Sequence, residues 1–140
     1  MLSALAFVIA AGQIRQPFPL ENINIELTQQ GWGDPHRNLS VDGHPLMVGG
    51  HKFIEGIGTH AESVLAISLG TPCDAFISEI GVDDEVEKRG SVVFQVWGDG
   101  KLLAHSNVMR GGDKADTISA NLKGIKQLML VVTDAGDGMD

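Results

Sequence analysis

Cysteine is nearly missing from this chain of 140 residues, and tyrosine is missing altogether. With Cys73 as the single cysteine, neither an intramolecular disulfide nor a multi-cysteine metal site can form. It follows Thr71-Pro72 at the start of an apolar run, where it reads as a small buried thiol rather than a nucleophile. Aromatic residues make up 5%, so ring stacking is limited to Trp32, Trp97 and five phenylalanines. Positive charge is also scarce. Lys plus Arg number 10 against 18 Asp plus Glu, a formal net charge of -8, which excludes the electrostatic footprint of a nucleic-acid or anionic-membrane binder and leaves neutral or cationic partners. No apolar run reaches the about 20 residues that a membrane-spanning helix needs. No amphipathic helix of three or more turns can be traced either, which excludes strand–helix alternation and leaves an all-β chain.

What is present fits one folded domain. Hydrophobic residues make up 43% and charged residues 20%, enough for a continuous core at this length. Residues 1–12 form a short apolar run with a small-residue end, matching the apolar region of a secretory signal although no Lys or Arg precedes it. Export, to the periplasm or outside the cell, is the expectation. Residues 13–20, with Pro17 and Pro19, form a linker, and residues 21–140 form the domain.

Within it, Asn22 to Leu27 alternates polar and apolar residues, predicting a strand. A short strand is expected at Leu46 to Val48, with longer ones at Val64 to Leu69, Ala75 to Val82, Ala115 to Leu122 and Gln127 to Thr133. Ser91 to Trp97 and Lys101 to Val108 flank Gly98-Asp99-Gly100 and predict a hairpin. Short strands at this spacing predict a β-sandwich of two packed sheets. The carboxylate-rich end, Val132 to Asp140, stops within a loop and reads as truncated.

The chemistry of catalysis is hard to find. The five histidines lie at no spacing that places two on one helical face, as a zinc hydrolase requires. His36, His44 and His51 accompany turn residues and read as solvent-facing. A glycosidase needs two carboxyl groups about 5 to 9.5 Å apart, and neighbouring acids such as Asp83 and Asp84 would point to opposite faces of a strand. No GxSxG elbow is present. The polar stretch Gly56-Ile57-Gly58-Thr59-His60-Ala61-Glu62-Ser63 supports two readings on residues alone. One is a corner in which glycines supply turns while His60 and Ser63 satisfy buried carbonyls and Asp83 and Asp84 cap loop amides. The other is a site for a polar ligand.

Gly31-Trp32-Gly33, Ser40-Val41-Asp42-Gly43, the Gly56 to Ser63 stretch, Gly81-Val82-Asp83-Asp84 and Val131 to Gly138 follow one another in the order and spacing of the NPCBM domain. The resemblance runs from about Leu20 to the last residue. NPCBM domains are named as carbohydrate-binding modules and are related to the family 51 modules. The resemblance implies a galactose-binding-like jelly roll, a non-catalytic role, binding of galactose-containing glycans, a bound calcium, and a covalently linked, exported glycoside hydrolase. It also implies a closing Asp-His-Ala-Asp-Trp-Ala-like segment, which this chain lacks, so the sandwich is expected to miss its last piece. A structural or protein-interaction sandwich accompanying a hydrolase is the alternative role. Sugars are neutral polyols, held by hydrogen bonds to hydroxyls and by an aromatic face against the ring. The expected contacts are His60, Glu62, Asp83, Asp84 and Trp32, with Trp32 expected to be a plug by a narrow margin and Trp97 part of the core. Asp42, in its Val-Asp-Gly turn, is the expected calcium ligand, and Asp134 and Asp137 lie in a second oxygen-rich loop.

Overall fold

The computed structural model describes residues 20–135; the 1–12 leader, most of the 13–20 linker, and Asp137 lie outside the described residues. Twelve strands run through them: β1 Gln29–Gln30, β2 His36–Arg37, β3 Leu46–Val48, β4 His51–Phe53, β5 Ile57–Gly58, β6 Ser63–Ser68, β7 Ala75–Ile80, β8 Ser91–Gly98, β9 Lys101–His105, β10 Met109–Arg110, β11 Asp116–Asn121 and β12 Gln127–Asp134. The helical pieces are three single 3-10 turns, and no described helix is long and apolar enough to cross a membrane.

The main sheet has the order β1-β6-β12-β8-β10, with β9 also paired to β8, and every pairing is antiparallel. Opposite it lies the β7–β11 pair, in register from Ala75↔Asn121 to Ile80↔Asp116. Two small ribbons, β2–β5 and β3–β4, complete the fold. Alternation explains the layers. Leu65 and Ile67 of β6, Val92, Phe94 and Val96 of β8, and Leu128, Leu130 and Val132 of β12 all point inward. They pack on Phe76 and Ile80 of β7 and Ile118 and Ala120 of β11 in one core, an antiparallel sandwich. Removing that much apolar surface from water is the main drive to fold.

The β8–β9 turn has positive φ at both Asp99 (48°) and Gly100 (81°), the combination that matches the twist of a two-residue hairpin. Cys73 is buried, with its thiol donating to the Thr71 carbonyl. Two expectations need correction. Asn22 to Leu27 is not a strand but parts of two 3-10 turns, Leu20–Asn22 and Ile25–Leu27. There the Asn24 side chain accepts from the Glu26 amide (3.1 Å), capturing backbone that a sheet would have used, and Leu27 is 60% exposed. Trp97 is half-buried on the outer face of the main sheet, its indole donating to Gln95 Oε1 at 2.9 Å. Since Val92, Phe94 and Val96 face inward, position 97 must face out.

Candidate functional site

β1 lies on the edge of the main sheet, with Gln29 opposite Val64 and Gln30 opposite Ser63. The pairing continues past the strand, the Gly31 amide donating to the Glu62 carbonyl at 3.1 Å. Loop 31–35 is thereby fastened beside loop 59–62, and the Trp32 and His60 rings meet with centroids 5.6 Å apart, tilted by 59°. Trp32 is 56% exposed, so it does not plug the core, which corrects the expectation of a plug. Its carbonyl accepts from Gln30 Nε2 at 2.7 Å, which fixes the loop backbone.

His60 is half-buried, and its Nδ1 donates to the Ala61 carbonyl, leaving Nε2 of the neutral ring as an acceptor. Behind it, the buried hydroxyls of Thr59 and Ser63 bond to each other at 3.0 Å and brace the loop from inside. Glu62 is exposed beside them, following a cis peptide after Ala61. An open groove of about 1010 Å³ has Gln30 and Gly33, two residues before and one after Trp32, on its wall, while Trp32, His60 and Glu62 do not line it. Asn22, Asn24, Gln29 and Arg37 also line it. Arg37 Nη2 donates to the Ile23 carbonyl at 2.5 Å, while Arg37 Nε, Gln30 Oε1 and Thr28 Oγ1 are buried without a hydrogen-bond partner.

Asp83 and Asp84 have different work. Asp83 is 1% exposed; its Oδ1 accepts from the Glu85 amide (3.0 Å) and its Oδ2 from the Met47 amide (3.1 Å). Burial pushes its carboxyl above the ordinary carboxylate range; the two amides pull the other way, and the charges of Glu85 and Asp84 add to the rise. Asp84 spends both oxygens on the β3–β4 turn, accepting from the Gly49 (2.8 Å) and Gly50 (2.7 Å) amides. Both acids clamp backbone: Asp83 is closed to water and therefore to a surface ligand, whereas Asp84 is half-buried and each of its oxygens keeps a second lone pair.

Glu85 reaches the loop carrying Asp42. Its Oε2 accepts from Ser40 Oγ at 2.5 Å and from His44 Nδ1 at 3.2 Å. Ser40 Oγ also accepts from the His44 amide (3.1 Å), and His36 Nδ1 donates to the Ser40 carbonyl (2.7 Å). His36 therefore sits half-buried in β2 rather than facing solvent, whereas His44 and His51 are exposed. Asp42, His44 and Glu85 gather their ligand atoms within 4.8 Å. Calcium takes six to eight oxygens, backbone carbonyls among them; these three side chains supply two carboxylates and an imidazole nitrogen. Asp134 is half-buried at the end of β12. Sequence reasoning missed Gln30, Arg37, Ser40 and Glu85, whose roles arise from contacts across the fold; only the neighbourhood of Ser40 and His44 to Asp42 offered a signal.

A β-sandwich presenting an exposed tryptophan beside polar side chains has the build of a binding module. The chain belongs to the NPCBM/NEW2 domain family, whose model matches residues 17–140. A Renibacterium salmoninarum protein that carries the name of an endo-alpha-N-acetylgalactosaminidase is 39% identical over 112 residues, 76% of this chain and 7% of that protein. The family 51 carbohydrate-binding module of Clostridium perfringens GH95, solved with methyl-galactose, superimposes with a TM-score of 0.76 at 29% identity, covering 86% of this chain and 88% of that one. A second such module from C. perfringens ZmpB, solved with GlcNAc, gives 0.76 at 29% identity over 85% of this chain and 27% of that one. The chain is thus a carbohydrate-binding module, ancillary to catalysis, of a kind found in glycoside hydrolases.

Proposed function

We propose that this module binds galactose-containing glycans at the Trp32–His60 corner and holds an attached, exported glycoside hydrolase near its substrate. The single observation that carries the site is the exposed Trp32 ring braced against His60. An exposed indole offers an apolar face for the C–H side of a pyranose, while His60 Nε2 and Glu62 accept from its hydroxyls. The amide-lined groove would take the rest of an oligosaccharide. Galactose is put first because one similar module was solved with methyl-galactose and the curated relatives carry the names of an endo-alpha-N-acetylgalactosaminidase and an alpha-1,3-galactosidase, while the module solved with GlcNAc superimposes equally well and supplies the comparison sugar. Export is supported by the apolar run at residues 1–12 and by the hydrolase company that such modules keep.

Affinity is expected in the weak range of about 1 mM to 1 μM, or about -4 to -8 kcal/mol. Calorimetry against methyl-galactoside, galactose-ended oligosaccharides and N-acetylglucosamine tests the reading. Trp32→Ala should abolish the heat of binding while leaving Tm nearly unchanged, because the ring packs outside the core. Trp97→Ala, on the far-facing surface of β8, should bind as well as the parent. Unaltered galactoside binding by a folded Trp32→Ala chain would defeat the assignment and favour a protein-interaction role for the sandwich.

A further inference from the structure

The cluster formed by Asp42, His44 and Glu85 is used neither by the sugar corner nor by the core. Two backbone bonds shape its loop, Ser40 N–H to the His44 carbonyl (2.8 Å) and Gly43 N–H to the Ser40 carbonyl (2.9 Å). Gly43 has φ of 83°, and this tight turn presents positions 42 and 44 together. Glu85 comes from a 3-10 turn, Asp84–Val86, far away in sequence. Its side chain is only 8% exposed, and its Oε1 is buried with no hydrogen-bond partner. Among the described residues no Lys or Arg pairs with it or with Asp42; the ion-pair partner of Glu85 is His44 at 3.2 Å. A carboxylate held out of water with one oxygen unsatisfied is a group that a further positive charge would stabilise.

We infer that Asp42, His44 and Glu85 form a binding site for a borderline first-row divalent cation of the zinc type. One imidazole and two carboxylates suit zinc and its neighbours, whereas calcium and magnesium favour all-oxygen shells. Ligand atoms about 2.0 to 2.2 Å from a tetrahedral ion lie about 3.3 to 3.6 Å apart, and His44 Nδ1 and Glu85 Oε2 stand at 3.2 Å, just short of that range. Asp42 and His44 are exposed and can rotate to close the remaining span, which is at most 4.8 Å. If Nδ1 is the ligand, its proton moves to Nε2 and the metal replaces the hydrogen bond to Glu85. Three protein ligands leave a fourth position for water. The bound ion would tie loop 40–44 to the Asp84–Val86 turn, bracing that end of the sandwich independently of sugar.

The test uses the full chain and zinc itself, in a non-chelating buffer. Zinc should raise Tm in a manner reversed by EDTA, with one equivalent bound by calorimetry. His44→Ala and Asp42→Asn should each weaken zinc binding by roughly tenfold or more, as loss of a ligand outweighs loss of a supporting contact. His105→Ala, on an exposed hairpin strand, should bind zinc as the parent does. The galactoside affinity of His44→Ala should be unchanged, which keeps this outcome separate from that of the sugar site. Absence of zinc binding, zinc binding undiminished in folded His44→Ala and Asp42→Asn chains, or an equal Tm rise from calcium would each overturn the proposal.

Discussion

Asp83 shows how a single side chain can look functional and be structural. Its carboxylate satisfies the Met47 and Glu85 amides from a position closed to water. Asp83→Ala would leave two backbone donors unpaired, at about 1 to 3 kcal/mol each, so a loss of about 2 to 6 kcal/mol in a urea unfolding experiment is expected. The titration has a definite sign. Because burial raises the folded-state value above the unfolded one, the native chain binds its proton more tightly. Stability associated with this group is fully present below the unfolded value and is lost as pH rises through the folded value. Unfolding measured across the acidic range should show this downward slope for the parent and a flatter one for Asp83→Asn. The variant is also less stable, since its amide nitrogen cannot accept from both backbone groups.

At the scale of elements, the ribbons and turns decide where the loops go. Gly58 in β5 lies so close to Leu39 and Ser40 that a methyl group there would collide with the Leu39 carbonyl oxygen and the Ser40 Cα. The obstacle is backbone, so Gly58→Ala should displace the β2–β5 ribbon and the 40–44 loop together, costing about 1 to 3 kcal/mol. A fall in Tm accompanied by weaker zinc binding would mark that coupling. Asp99 combines two tasks, a positive-φ turn position and acceptance from the Gln127 amide at 2.8 Å. Asp99→Ala should therefore cost about 1 to 3 kcal/mol in thermal or urea unfolding. The long strands were legible beforehand because period-two burial survives folding: Ile118, Ala120 and Leu122 point inward as their alternation requires. Residues 22–27 show the same alternation yet form 3-10 turns, since Asn24 offers the backbone a local partner that hydropathy does not register. Trp32 and His60 could be named from a motif, but their stacking depends on β1 pairing with β6 across more than 30 positions, which no local pattern encodes. The clamping role of Asp84 was hidden for the same reason, its partners Gly49 and Gly50 lying in a different ribbon.

For the whole molecule, the division of labour between core and rim sets what the environment can change. The β6, β8 and β12 faces pack against β7 and β11 to supply the stability, while Trp32 projects from the rim. A net charge of -8 surrounds both. A basic binder releases counterions from a polyanion, and its affinity falls steeply with salt. A neutral glycan has no counterion atmosphere to release, and hydrogen bonds with ring stacking are short-ranged, so screening hardly touches them. Galactoside affinity measured by calorimetry between about 50 and 500 mM salt should thus be nearly flat on a logarithmic plot. The acidic surface acts on a different quantity, repelling anionic polymers, so a sulfated galactan should bind more weakly than its neutral counterpart at low salt and recover as salt rises. If affinity instead fell with salt for the neutral sugar, a charged group would have to lie at the centre of recognition, and Trp32 would lose its place as the main contact.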